Sequence, residues 1–510
     1  MNHLVIAPIL LPLLAGILLL MFRQADIRPR RVFSVAAVLG QIGLAVCLLR
    51  AVDDGAILTY ALGDWPAPFG IVLVADRLAA WMLMATALVA LFALLHACRG
   101  IDVAGRHFHV LFQLQLMGLN GAFLTGDLFN LFVFFEVLLL ASYGLVLHGG
   151  GREAHQGGRL RTRAGLHYVV LNLAGSSLFL IAVGTLYGLF GTLNMADLAM
   201  RMAAVSPENL GPARAAGLLL FTVFALKAAL LPLHLWLPAA YSRTSAPVAA
   251  LFAIMTKVGA YSILRVSTLM FGERAGDMAG LIEPWLLPLA LATLVAGVLG
   301  VLAARTLREQ AAYLVVASVG PLLTAFALGS VDAIAAGLYY LPHSTFAAAG
   351  MFLLADRIAH SRGELTDRFE PGGAMAGAPL LGGLFFLFAM LLAGLPPLSG
   401  FIGKFLLLRA ALDHPAWPWI LALGLTGGLL LVIALARSGS LLFFRPEAAA
   451  ADETDRMATA ASPLMPAIGL LLLALALAAL AGPILALASA TAEQLLQPYH
   501  YVHAVLGARP

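Results

Sequence analysis

The chain has 510 residues, 62% of them hydrophobic and only 11% charged, against roughly a quarter charged in a soluble domain; with a mean hydropathy of +0.95, a water-soluble globule is excluded and the bilayer is the solvent. The net charge of +4 comes from cations scattered between apolar stretches, which excludes a nucleic-acid surface. The two cysteines, Cys47 and Cys98, lie in or beside apolar segments without metal-ligand or redox-pair spacing, and read as small core-filling residues.

A membrane span needs roughly 20 apolar residues. Nearly the whole chain divides into such stretches, so a single all-α, polytopic membrane domain is expected over residues 1–510. About fourteen helices are predicted, centred near residues 12, 41, 87, 116, 138, 177, 222, 255, 292, 320, 345, 385 (continuing near 405), 430 and 476. The first apolar stretch, Leu4 to Phe22, is followed by no small-residue cleavage site and reads as a retained helix. Between the second and third spans, Asp53 to Asp76 holds two β-prone runs, Ile57–Leu62 and Ile71–Ala75, around a Gly63-Asp64-Trp65-Pro66 turn, which predicts a small hairpin cap.

The fifth span carries Glu136 near its middle among apolar neighbours. An unpaired carboxylate at that depth is neutral or very costly; a lysine partner lets both ionise, and Lys227 is the expected partner. Asp127, nine residues earlier and so about 13 Å along a helix, fits a helix cap as well as a relay group. The seventh span is interrupted at Lys227-Ala-Ala-Leu-Leu-Pro232, with His234 between Pro232 and Pro238, and the twelfth at Gly394-Leu-Pro396-Pro397-Leu-Ser-Gly400, followed by Lys404. Proline removes a backbone donor and clashes with the preceding turn, and freed backbone groups inside a membrane must face protein or water. A single break reads as an ordinary kink; paired breaks in the two halves of a chain point to a transport site.

Lys227, Lys257 and Lys404 are the only lysines, and each lies inside or at a break of an apolar span, while every loop cation is arginine. Arginine stays charged under almost any condition, whereas lysine can lose its proton when desolvated, so the titratable cation is reserved for the interior. Structural ion pairing is the competing reading. His343, within Tyr339-Tyr340-Leu341-Pro342-His343 of the eleventh span, and His234 add candidate relay steps, each also readable as a hydrogen-bonded core histidine; His148, His155 and His360 read as solvated. Tyr143, Ser142, Tyr261, Ser318 and Thr256 can hold water wires or serve as packing glue. There is no Walker A motif, no Gly-x-Gly-x-x-Gly after a strand and no Cys/His cluster, so no cofactor, metal or enzymatic centre is expected.

Orientation follows from arginine counts. Alternate loops hold nineteen and eight arginines, the larger set including Arg23, Arg28, Arg30, Arg31, Arg99, Arg152, Arg445 and Arg456 and the smaller Arg50, Arg77, Arg265 and Arg509. The larger set is expected in the cytoplasm, which puts both termini outside.

The strings GDLFNLFVFFEVLLLASYGLV, ALKAALLPLHLWLPAAYSRTSAPVAALFAIMTKVGAYSILR and GLPPLSGFIGKFLLL resemble the antiporter-like subunits shared by complex I, membrane-bound hydrogenases and Mrp-type multisubunit monovalent cation/proton antiporters. The likeness covers roughly residues 70 to 440, and GDWPAPFGIVLVADRLAAWMLM is most similar to the D subunits of the Mrp type. The resemblance implies two inverted five-helix repeats, each with one broken helix (spans seven and twelve): residues 105–270 and 281–443, preceded by helices one to three with the outer hairpin (1–98) and followed by helix fourteen (464–490). It also implies proton-transfer roles for Glu136, Lys227, Lys257, His343 and Lys404. Many members carry a lysine four residues after that histidine; here the position is Ala347. Partner membrane subunits, protons and sodium or potassium, and the inner membrane of a bacterium follow from the same likeness. The alternatives are a proton-pumping subunit of a redox complex and, in a different class, a structural subunit with a dead channel.

Overall fold

The computed structural model describes residues 3–22, 24, 26–149, 155–372, 375, 377–444 and 464–507, the side chains of 155–157 excepted. Arg23, Arg152, Arg445, Arg456 and Arg509, which entered the orientation count, and the side chain of His155 lie outside that description. In an apolar medium the α-helix satisfies every backbone donor and acceptor within one segment, and the chain takes that solution wherever Ala, Leu and Val run together. The helices are α1 (Ala7–Met21), α2 (Ile27–Ala51), α3 (Arg77–Ala97), α4 (Phe108–Leu124), α5 (Leu128–Leu147), α6 (His155–Phe190), α7 (Met195–Ala203), α8 (Pro207–Ala228), α9 (Trp236–Arg243), α10 (Ala246–Phe252), α11 (Met255–Met270), α12 (Glu283–Ala303), α13 (Leu307–Ala327), α14 (Val331–Ser361), α15 (Ala378–Ala393), α16 (Ser399–Ala410), α17 (Trp417–Phe443), α18 (Met465–Ala479), α19 (Ala481–Leu495) and α20 (Pro498–Leu506).

Side chains of Asp76, Asp127, Thr306 and Ser330 each accept a backbone N–H in the first turn of α3, α5, α13 and α14, satisfying one of the donors that a helix start leaves open. All the predicted centres fall inside helices. Among the described residues, nine helices are long and apolar enough to cross a membrane, or ten if α18 and α19, bent by 79°, form one span. The predicted hairpin is present: β1 (Leu58–Ala61) pairs antiparallel with β2 (Val72–Ala75), Leu58 opposite Ala75.

Burial separates central from peripheral helices. The Ala246–Met270 segment is fully buried along its most apolar window, while that of α17 is 28% buried and lies at the periphery. α14 is buried from Ala333 to Asp356 and packs on α10, α13, α16, α18 and α19. The chain's beginning and end are tied on one side: Arg77 donates to Ala490 O (3.1 Å) and Asp53 O (2.5 Å), and Gln494 accepts from Arg77 N and donates to Gly55 O (2.9 Å).

Four sequence expectations change. Cys47, expected to fill a core, is exposed on α2. Arg265, counted as a loop cation, lies within α11, buried, with bidentate bonds of 2.6 and 2.8 Å to Asp76 and the rings of Tyr261 and Tyr501 at 5.6 and 5.2 Å. A carboxylate 189 residues away in sequence compensates the charge of that guanidinium in the interior. His148 is buried rather than solvated; its Nε2 meets Ile101 O at 2.9 Å. Cys98 ends α3 beside Asp102 and His109, its sulfur within 4.8 Å of a ligand atom from each. Arg31 occupies both oxygens of that carboxylate at 2.6 and 2.7 Å. Burial opposes ionisation of Asp102, but bonds from Arg31 and then His109 outweigh it and hold the carboxyl at about 2, while burial, reinforced by Asp102, pushes the Cys98 thiol up to about 11.

Candidate functional site

The two interruptions close in the same way. α8 ends on Ala229 in the left-handed region (φ 57°), and α15 on Gly394 (φ 82°). In each, the next residue's N–H reaches back five positions, Leu230 to Ala225 O (2.9 Å) and Leu395 to Met390 O (3.0 Å). This is the Schellman closure, which satisfies carbonyls the helix end leaves open, with proline following because it cannot continue the helix. The peptide bonds before Pro232 and Pro397 are cis.

The lysines use these ends differently. Lys227 sits in the last turn of α8 itself. Lys404 reaches back from α16 and donates to Leu392 O (3.2 Å) and Ala393 O (2.8 Å), placing an ammonium on the negative end of the α15 dipole. Trp236 Nε1 makes the corresponding bond at the first break, to Leu226 O at 3.1 Å.

Glu136 and Lys227 do not bond each other directly. Each turns to α6: Ser176 donates to Glu136 Oε1, and Lys227 Nζ donates to Asn172 Oδ1 at 3.1 Å. Asn172 and Ser176 are four apart and so share one helix face, which makes α6 a polar bridge between carboxylate and ammonium. Phe135 packs its ring 5.7 Å from the ammonium. A cavity of about 10 Å³ lined by Asn172, Lys227 and Trp236 is close to the minimum for one water.

Lys257, in the first turn of α11, donates to Ser318 Oγ of α13 at 2.9 Å. Its helix presses on the first break: a methyl group on Gly259 would lie 2.3 Å from Ala228 N and 2.7 Å from the Lys227 carbonyl carbon. Ser318 and Lys404 line a common chamber of about 420 Å³, walled mainly by apolar residues of α12, α13, α15, α16 and α17. At the second break, His343 Nδ1 and Ser399 Oγ are 2.9 Å apart, and Gly400 fits against Leu391 O and His343 Nε2 where a methyl group would overlap both. Ala347, also on α14, is buried and brings no polar atom.

The remaining candidates are less connected. Asp127 caps α5 through Asn130 N at 2.9 Å. His234 is buried in the first break with Nδ1 unpartnered. Sequence reasoning missed Asn172, Ser176 and Ser399. Nothing in the chain marks them, because serine and asparagine in apolar helices are common packing groups, and only the meeting of helix faces selects these three. Ser318, one of five hydroxyl candidates, is the one that meets a lysine.

A family model described as NADH:quinone oxidoreductase/Mrp antiporter, TM, matches residues 125–430. The chain is 41% identical to the D subunit of a probable K(+)/H(+) antiporter of Rhizobium meliloti (strain 1021), covering 100% of this chain and 98% of that one. It is 37% identical to the D subunit of the Na(+)/H(+) antiporter of Alkalihalophilus pseudofirmus, covering 99% and 100%. Among solved structures, a chain of the Mrp complex from Dietzia sp. DQ12-45-1b superposes with a TM-score of 0.86 at 28% identity over 99% of this chain and 100% of that chain.

Proposed function

Since the chain belongs to the NADH:quinone oxidoreductase/Mrp antiporter transmembrane family, we propose that it is the proton-carrying, D-type subunit of a multisubunit Na⁺(K⁺)/H⁺ antiporter in a bacterial plasma membrane. It is a transporter subunit, not an enzyme. The observation that carries this reading is that all three lysines are held in the interior by neutral acceptors, Asn172, Ser318 and backbone carbonyls, rather than by carboxylates. A structural ion pair would hold its lysine protonated; a neutral acceptor leaves the ammonium free to give up its proton.

In this reading a proton delivered to Glu136 removes a negative charge from the neighbourhood of Lys227 and favours release of the lysine's proton. Gly259 keeps Lys257 close enough to the same break to sense the change. Ser318, the chamber and His343 then link Lys257 to Lys404. Ala347, where many family members have a lysine, makes this second half depend on hydroxyl groups, His343 and transient water. No multi-oxygen cation cage is legible in the sequence, so we assign passage of Na⁺ or K⁺ to partner subunits.

We count fourteen spans by adding α1, α4, α14 and α15 to the ten that length and composition license, with inverted repeats at 105–270 and 281–443. Moving Arg265 out of the smaller arginine set widens the charge bias, which supports a cytoplasmic assignment for the larger set and outer termini. The family description also covers a redox-driven pump; both relatives described above are antiporter subunits, which favours exchange.

The test is a Lys257→Ala variant in the intact complex. Cation-dependent proton exchange in membrane vesicles is expected to vanish while the complex assembles; a full rate with normal assembly sinks the relay. Neighbouring genes for several small membrane subunits support the antiporter, and genes for redox subunits support the alternative.

A further inference from the structure

The chamber between Ser318 and Lys404 has properties that the relay does not use. Its lining includes Phe405, Leu425 and Leu429, whose side chains are exposed on the flank formed by α16 and α17. Its volume of about 420 Å³ is in the range of small-molecule sites. Its mainly apolar walls offer few partners to resident water beyond Ser318, Tyr340 and Lys404.

Lys404 lines this space, and its ammonium pairs with no carboxylate among the described residues. The α15 carbonyls offset about half a charge, and two of the three ammonium donors are used on Leu392 O and Ala393 O. A third donor and a residual positive charge are therefore left on a residue that lines a chamber whose other surfaces suit hydrocarbon. Only an occupant that is anionic at one end and aliphatic along the rest satisfies both.

We propose that this chamber binds a single-chain anionic amphiphile, a fatty-acid carboxylate, which enters sideways from the bilayer with its chain between α16 and α17 and its head on Lys404. The binding itself does not rest on the proton-relay reading. Its consequence does: an occupant that fixes Lys404 as a paired cation blocks the last step of the relay and inhibits exchange.

The experiment uses the purified complete complex in phosphatidylcholine nanodiscs and a hexadecanoic acid carrying a mid-chain diazirine. Photolabelling is expected on peptides containing Phe405, Leu425 or Leu429, displaced by oleate and at least tenfold less by oleyl alcohol. Gly428→Phe adds a ring where no atom lies within 4 Å of the new side chain's first carbon, and should reduce labelling at least tenfold by filling the chamber. Lys404→Gln should abolish the advantage of acid over alcohol. Equal competition by the alcohol, or labelling unchanged in Gly428→Phe, means ordinary acyl-chain contact only and overturns the proposal. Absence of labelling overturns it as well, through closure of the opening by a neighbouring polypeptide of the complex. If labelling behaves as expected but saturating oleate leaves exchange in vesicles untouched, the site stands and the relay reading falls.

Discussion

Gly259→Ala is the smallest change that tests whether the first break and Lys257 act as one unit. The added methyl carbon would sit 2.3 Å from Ala228 N and 2.7 Å from the carbonyl carbon of Lys227, whereas contact distance is about 3.5 Å. Both obstacles are backbone, so no side-chain rotation relieves the overlap, and α11 must withdraw from α8 by about 1 Å. Two effects oppose each other. Alanine is favoured over glycine in a helix by about 1 kcal/mol; overpacking a dense interior costs about 1 to 3 kcal/mol. The net loss of stability is therefore small and assembly should survive. Function is more sensitive, because a 1 Å misplacement of a reacting group costs on the order of a hundredfold in rate, and α11 carries Lys257 two residues away. The assay is cation-dependent proton exchange in everted vesicles from an antiporter-deficient host expressing the whole complex, with assembly followed by native gel electrophoresis. Gly184→Ala on α6, where nothing lies within 4 Å of the added carbon, serves as the control and should match the parent. An assembled Gly259→Ala complex exchanging at the parental rate would refute the coupling.

Other variants read other parts of the structure. Ser318→Ala removes the side-chain acceptor of Lys257 and leaves a buried donor unpaired at a cost of about 1 to 3 kcal/mol; exchange should slow by about tenfold or more, and an unchanged rate in vesicles removes Ser318 from the path. Asp76→Ala leaves Arg265 buried and unpaired, which should cost about 3 to 5 kcal/mol, while the double change Asp76→Leu with Arg265→Met should cost less than the single; thermal unfolding in detergent, followed by size exclusion, decides this. Asp102 has a depressed pKa, so its stabilising contribution is complete above the unfolded value near 4 and is lost as pH falls through about 2. Discounted for its proximity to the surface, that is about 1 to 2 kcal/mol; unfolding measured between pH 4 and 2 should show a steeper fall for the parent than for Asp102→Asn, and parallel curves would contradict the assignment.

How much the chain revealed depended on whether the signal was local. Lysines in apolar runs, and prolines near glycine or alanine at the end of a helix, report on their own surroundings, so Lys227, Lys257, Lys404 and both breaks were legible from residue order alone. The hairpin was legible because the β-prone runs flank a turn sequence. Arg265 was misplaced because its counter-ion, Asp76, belongs to another helix, and an apolar segment ending in arginine looks the same whether that arginine points into a loop or into the core. The bridge on α6 had the same difficulty: Glu136 and Lys227 each announce a need for a partner, but which helix face comes between them is a matter of packing. His148 was read as solvated from its place at the end of a span, where a neighbouring loop in fact covers it.

The ties between Arg77 and the segment Ala490–Gln494 also carry a consequence in time. Arg77 and Gln494 are 417 residues apart in sequence, which at the pace of protein synthesis is a wait of about 20 to 80 s. Until α19 arrives, the guanidinium at the head of α3 lacks the Ala490 carbonyl, and Gly55 lacks the Gln494 side chain. The hairpin end of the molecule is therefore a clasp that a growing chain cannot fasten. Its fastening reports that the intervening helices have been made, and a chain stalled partway remains distinguishable from a finished one by that open clasp.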